Sequence, residues 1–382
     1  MKKYHSACCF LVLFHSVHLA VLAQEFSSIR EGIEYAEMTR QIDAAPVRLN
    51  LLRLDLTKVR LDVVHAMDAA IGTETVSSMA TRHGAIAAIN SGFFRLDRSI
   101  FAGDAVGVLK IDGKVFSESS NNRIALFIEN KAEKTIVSIA HLKTKTTVSI
   151  GRREIAAAGI NRERKDDDLV IFTPEFGRTT LTRPDGLEII AANGRITEII
   201  RSSGSNLIPQ NGFVVSASGS RMDELLKHLK IGKKIEFQSS GFDLREGLGA
   251  NMQEPNVFYS ASEDIVAGVP ELIRNGKLHI PWEQEKTSEA FVETKHPRTA
   301  VAKLKDGKFL MITVDGRSEE SGGIGLEDLA KLLLEFGATD AMNLDGGGST
   351  TMFLDGKVVN KPSDKEGERK VSDAILVTLR NK

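Results

Sequence analysis

The chain has 382 residues, 42% hydrophobic and 26% charged, with 50 Lys and Arg set against 51 Asp and Glu. This length accommodates one large domain or two average ones, and the composition excludes disordered and fibrous classes. Near-neutral charge and an aromatic content of 6% exclude a general nucleic-acid binder.

The first residues read as an export address. Lys2 and Lys3 precede an apolar run over 7–22, and Val21-Leu22-Ala23 offers slim residues for cleavage, which predicts a signal peptide over 1–23. His15 and His18 interrupt that run, which is short for a bilayer. No stable membrane span is therefore expected after cleavage, and the product is expected to be exported, periplasmic or secreted. Cys8 and Cys9, the two cysteines of the chain, fall inside the signal. The mature protein is thus expected to use no disulfide, thiolate nucleophile or Cys-based zinc site. Losing Lys2 and Lys3 takes the basic count from 50 to 48 against 51 acidic residues, a formal charge of −3.

Short β-like runs follow at 48–64, 85–90, 124–128, 169–172, 187–191, 308–314 and 374–379. Asp-Gly or Asn-Gly before a basic residue recurs at Asp112-Gly113-Lys114, Asn193-Gly194-Arg195, Asn275-Gly276-Lys277, Asp306-Gly307-Lys308 and Asp355-Gly356-Lys357, and each reads as a tight hairpin turn. Helical spacing is clearest over 222–229 and 326–336. The second helix is bounded by Gly325 and by Gly337, where a left-handed C-terminal cap is expected. The pattern predicts an α+β fold: a strand-rich mixed sheet with a few packed helices, in a single large domain over 81–382. Residues 24–80 are expected to dock on it as an N-terminal segment.

Residues 338–344 read as a buried strand with Asp345 at its end, just before Gly346, Gly347 and Gly348. Strand ends that open into glycine turns are where such sheets place chemistry. Three residues without Cβ let backbone N–H groups converge on an anion, and Ser349, Thr350 and Thr351 add hydroxyls. The same Asp-Gly-Gly-Gly also suits a plain wide turn. A carboxylate beside a phosphate repels it, which leaves three readings of Asp345: a protonated general acid, a ligand for sugar hydroxyls, or one side of a divalent-cation bridge. Arg298, at the mouth of one strand, and Arg317, just past another, offer planar guanidinium forks for phosphate, or serve as turn arginines. Asp315 is a candidate partner carboxylate for Asp345 or a turn-former. Asn90, Gly92 and Phe93 suit a sugar-facing loop, the amide bonding hydroxyls and the ring stacking, although paired phenylalanines are commonly core. His65, His83, His141, His228, His279 and His296 occur singly without zinc-site spacing, and no Gly-x-Ser-x-Gly elbow, Walker loop or dinucleotide fingerprint occurs.

In order along the chain, five segments resemble the phosphodiester glycosidase family. They are Ile89-Asn90-Ser91-Gly92-Phe93-Phe94, then Arg298-Thr299-Ala300-Val301, then Val314-Asp315-Gly316-Arg317 with the helix from Leu326. Asn343-Leu344-Asp345-Gly346-Gly347-Gly348-Ser349-Thr350-Thr351 is the most specific, and Asn360 to Asp364 with Arg369-Lys370-Val371-Ser372 completes the set. Ser91 stands where the family usually has glycine, and Ile324-Gly325 replaces the usual start of the helix. The resemblance implies hydrolysis of a sugar-1-phosphodiester, of the N-acetylglucosamine-1-phosphodiester kind, to free sugar and phosphomonoester. It implies catalytic roles for Asp345 and Asp315. Substrate contacts are implied for Asn90, Gly92, Phe93, Arg298, Arg317, Asn343, Gly346, Gly347, Gly348, Ser349, Thr350 and Arg369. No cofactor is called for beyond the divalent cation already named as one reading. The rival expectation is an envelope protein that binds a glycan or sugar phosphate and breaks no bond.

Overall fold

The computed structural model describes residues 26–243 and 257–380. The predicted signal peptide, with Cys8 and Cys9, lies outside the described residues. As expected, the fold is strand-rich α+β, resolved into several sheets paired almost throughout in antiparallel fashion. One described pair is parallel, Gly159–Ile160 beside Leu169–Phe172.

Two sheets position the site. The larger has eight strands, in the order Ser27–Arg30, Ile33–Ile42, Ala45–Leu54, Phe309–Val314, Arg298–Leu304, Ala338–Asn343, Glu271–Arg274 and Lys277–Leu278. The smaller has five, in the order Lys357–Val358, Met352–Leu354, Ala87–Asn90, Asp373–Leu379 and Val59–His65. Their inner faces meet in one apolar core, where Leu52, Val301, Met311 and Met342 of the first pack with Leu61, Ile89, Met352 and Ile375 of the second. Outside the larger sheet lies the helix Leu326–Glu335, which buries Leu326, Leu329, Ala330 and Leu333 against Ala300, Ala302 and Ile312. Outside the smaller lies Val76–Arg82, capped by Thr75 and burying Val76, Met79 and Ala80. A helix on the outer face of each of two stacked sheets gives four layers.

Chain chemistry accounts for the local differences from expectation. The run predicted over 48–64 is two strands, Ala45–Leu54 and Val59–His65, which enter different sheets. The break is a turn in which the Asp55 carboxylate takes both the Thr57 N–H and hydroxyl, the usual local bonding of aspartate. Four of the five predicted hairpin turns have both central residues at positive φ: Asp112-Gly113, Asn193-Gly194, Asn275-Gly276 and Asp355-Gly356. That is the geometry matching the twist of paired strands. At the fifth only Gly307 is left-handed, and the loop is longer. The helix predicted over 326–336 ends with Gly337 at φ 85°, whereas the one predicted over 222–229 is displaced to Gly219–Leu226.

Two further sheets extend the chain. A seven-stranded one contains the long strand Thr135–Ile150, and a second five-stranded one packs with the helix Gly219–Leu226 around Ile171, Ile189 and Val215. Among the described residues no helix is long and apolar enough to cross a membrane.

Candidate active site

Antiparallel pairing decides which residues share an end of the sandwich. Arg298 pairs with Val314 and Ala300 with Asn343, so the start of one strand and the ends of two others lie together. Asn90 ends its own strand and pairs with Ala374 beside Asp373. Residues 344–351 then cross from the larger sheet to the smaller at this end.

The Asn90 amide fastens the crossing. Its Nδ2 donates to the Asp345 carbonyl at 2.7 Å, and its Oδ1 accepts from the Thr299 hydroxyl at 2.7 Å and the Thr351 N–H at 3.1 Å. Both ends of this fully buried side chain are spent on protein, so the amide predicted to face a sugar positions the loop. The Asp345 N–H adds a bond of 2.9 Å to the Ser91 carbonyl.

Each glycine of the loop meets a different constraint. A Cβ on Gly346 would stand 2.8 Å from the Pro297 carbonyl, and Gly347 takes φ 62°. On Gly348 a Cβ would overlap the bidentate Arg369–Asp364 ion pair, with Arg369 Nη2 only 2.1 Å away. The amide cradle is narrower than the sequence suggests. Gly346 N–H bonds the Asp345 carboxylate at 2.9 Å and Gly347 N–H bonds Pro297 at 2.8 Å. Ser349 and Thr350 N–H close a single tight turn. Among the described residues Gly348 alone of the three glycines keeps an N–H without an intramolecular acceptor.

Side chains carry the stronger sign of a ligand. Ser91 Oγ, Asn343 Oδ1, Ser349 Oγ, Thr350 Oγ1 and Thr351 Oγ1 are buried without a hydrogen-bond partner, all on segments that meet here. Buried polar groups are otherwise almost always satisfied. A cavity of about 620 Å³ opens elsewhere, lined in part by Asp62, His65, Asp112, Lys114, Phe116 and Glu175. None of its lining side chains is a buried orphan, so the unpartnered groups around Asp345 are the candidate site.

Half-buried Asp345 has a pKa pushed up to about 6, first by burial and further by the Asp373 charge. The Gly346 N–H and Arg369 pull it down, as does the nearby Ser349 hydroxyl, which makes no hydrogen bond of ordinary geometry. Burial likewise raises Asp315, which is 2% exposed. Its Oδ1 accepts from Asn360 Nδ2 at 3.3 Å and the Lys361 N–H at 3.1 Å. Asn360 also donates to the Thr350 carbonyl at 3.0 Å. The two candidate carboxylates are therefore joined through Asn360 and the loop backbone.

The two arginines separate. Arg298 is buried and directs Nε and Nη2 at the carbonyls of Ile324, Phe291 and Thr294, at 3.3, 2.7 and 2.8 Å, so it closes the end of the helix Glu289–Glu293. Burial without a carboxylate partner pulls its pKa down to about 10. Arg317 is exposed, has no ion pair among the described residues, and lies over Gly347, its Nη2 3.1 Å from where a Cβ would stand. Phe93 is half-buried at the rim, 6.1 Å from Phe291. Gly92 donates its N–H to Asp373. Asp373 escapes a reading of the sequence because a polar residue ahead of an apolar run looks like a turn, and Ser91 shows there only as a departure from the family's usual glycine. Among the described residues no group of three or more His, Asp or Glu side chains is placed to hold a metal.

A family model described as phosphodiester glycosidase matches residues 187–378. Over 212 residues the chain is 31% identical to N-acetylglucosamine-1-phosphodiester alpha-N-acetylglucosaminidase of Bos taurus, covering 50% of this chain and 40% of that protein. The chain thus spans about two-fifths of that curated relative. A solved structure of a hypothetical protein from Synechocystis shares the fold with a TM-score of 0.76 at 21% identity, over 92% of this chain and 62% of that one. Another from Burkholderia pseudomallei K96243 gives 0.74 at 24%, over 87% and 74%.

Proposed function

Because the chain belongs to the phosphodiester glycosidase family, we propose that it hydrolyses a sugar-1-phosphodiester to free sugar and phosphomonoester, with Asp345 as general base. The observation that carries this reading is the cluster of buried, unpartnered polar groups around the Asp345 loop. A carboxyl near 6 is mostly ionised at neutral pH and a stronger base than an ordinary aspartate, which suits proton removal from water. Water attacks the anomeric carbon and passes a proton to Asp345. The bond from that carbon to the phosphate oxygen breaks, and its electron pair leaves with the phosphate. Since the phosphomonoester is a good leaving group, no second carboxylic acid is required, unlike glycosidases with paired carboxylates. Asp315 then supports the loop through Asn360 instead of exchanging protons.

The charge conflict between Asp345 and phosphate is relieved by separating them. Arg317, the Gly348 N–H and the Ser349 hydroxyl form the phosphate side, and the Arg317 guanidinium meets the charge that builds on the leaving oxygen. The sugar lies toward Asp345 and the Phe93 rim, with N-acetylglucosamine the first sugar to test, by analogy with the bovine relative. Export fits a surface or host glycan as the source of substrate and is supported by the basic and apolar pattern over 1–23.

The test is release of free sugar and phosphomonoester from a panel of sugar-1-phosphodiesters, with and without chelator. Saturable binding with no product would support the non-catalytic glycan-binding reading. Loss of product on chelation would return a bridging cation to the mechanism.

A further inference from the structure

Behind the Ser91-Gly92 turn, His65 and Asp373 stand directly opposite each other on the antiparallel strands Val59–His65 and Asp373–Leu379. Each is about 1% exposed. Opposite residues of such a pair share one face. They form no direct ion pair, yet each supplies the largest opposing charge effect on the other.

Both imidazole nitrogens face carbonyl oxygens. Nε2 lies 3.1 Å from Gly103 O, and Nδ1 lies 3.3 Å from Ala66 O. A neutral imidazole has one N–H and one lone pair, so one contact would set a lone pair against a carbonyl; an imidazolium donates to both. Burial is the largest influence on the imidazole and holds its pKa below the ordinary value, while the Asp373 charge and the two carbonyls pull the other way. Geometry favours the cation: two carbonyl acceptors face the two ring nitrogens, and the Asp373 carboxylate stands on the opposite strand. Asp373 has no Lys or Arg partner among the described residues. It accepts from the Gly92 N–H on Oδ1 and from the Ser372 hydroxyl, at 2.6 Å, on Oδ2.

This wall reaches Asp345 through the backbone. Ser91 N–H bonds the Asp373 carbonyl at 3.1 Å, and the Ser91 carbonyl accepts the Asp345 N–H at 2.9 Å. We propose that His65 and Asp373 form a buried imidazolium–carboxylate couple that positions the Ser91-Gly92 turn and sets the base strength of Asp345. The consequence rests on the role given to Asp345 above. The negative member raises the proton affinity of Asp345 and the positive member limits that rise. The other charge acting on His65, Asp68, is already paired with Arg82 and His83, and Arg369, which acts on Asp345, is paired with Asp364.

The test uses the whole protein and needs no turnover. Imidazole nitrogen chemical shifts of His65, assigned by their loss in His65→Gln, are expected to show imidazolium at pH 7 with no titration through the ordinary histidine range. A neutral pattern at pH 7 overturns the couple. The Asp345 carboxyl carbon is then titrated in the wild type and both variants. Asp373→Asn is expected to move its midpoint down and His65→Gln to move it up, each by roughly one unit. Shifts of the same sign, or none, overturn the tuning role. Failure to cleave any phosphodiester would defeat the proposed function while leaving both spectroscopic outcomes readable.

Discussion

At Asp345 activity and stability pull in opposite directions. Its folded pKa of about 6 lies above the ordinary 3.8, so proton binding favours the folded state. That contribution is fully present below about pH 4 and is lost as pH rises through about 6. Asp345→Asn is expected to raise the melting temperature at pH 7.5, by no more than about 3 kcal/mol of stability, with the gain gone at pH 4. The same substitution is expected to lower kcat by roughly 10²–10⁴-fold. In the wild type kcat/KM should climb as pH rises through about 6. An Asp345→Asn protein that melts lower at pH 7.5 would show that the carboxylate is not held under strain. Glycine is equally specific at 348. Gly348→Ala must push the Arg369–Asp364 pair off the loop, and it should cost activity more than it costs melting temperature.

Among the elements, two arginines contrast in what they bond, and only one of them is proposed to meet the substrate. Arg298 closes the helix Glu289–Glu293 with bonds to the Phe291 and Thr294 carbonyls and ties in the Ile324 carbonyl with a third, so Arg298→Met should lose about 3 kcal/mol in denaturant unfolding. Exposed Arg317 should behave in the opposite way. Arg317→Ala is expected to leave unfolding unchanged and to lower kcat/KM by about tenfold to a hundredfold, consistent with lost charge-assisted contacts of about 1.5–3 kcal/mol. The sequence placed both on phosphate because both follow or open a strand near the glycine loop. Strand ends are visible in such a pattern, whereas the direction a long side chain takes depends on which carbonyls a neighbouring helix leaves open. For the same reason Asn90 was legible as a candidate, but its bonding was not. Its three bonds join segments that are remote in sequence and invisible to local spacing.

For the molecule as a whole, separate sheets must be held in register for the site end to stay assembled. His141, on the strand Thr135–Ile150, bonds Glu271 of the eight-stranded sheet at 3.1 Å and lies 3.8 Å from Glu285. Glu271 also takes Arg274 and His279, and it follows Val269 and Pro270, whose carbonyls bind Asn343. Burial lowers the His141 pKa, but the Glu271 bond and the Glu285 charge outweigh it and raise the pKa above the ordinary 6.5. Stability from this clamp is therefore complete below about pH 6.5 and fades as pH rises through the folded value. His141→Gln should flatten the fall of stability with pH across that window; an unchanged slope would place the pH dependence elsewhere. The class of the fold, its turn chemistry and the helix over 326–336 were legible because they depend on local residue pattern. The division into facing sheets was not, since the run over 48–64 is broken only by Asp55 and its bonds to Thr57. The central claim remains the bond broken at the Asp345 loop. Incubation with an N-acetylglucosamine-1-phosphodiester, with products resolved by mass in the initial-rate phase, is predicted to yield equal amounts of free sugar and phosphomonoester in the wild type and at least about a hundredfold less of both in Asp345→Asn. Equal yields from both proteins, or a sugar phosphate with a free alcohol in their place, would contradict it.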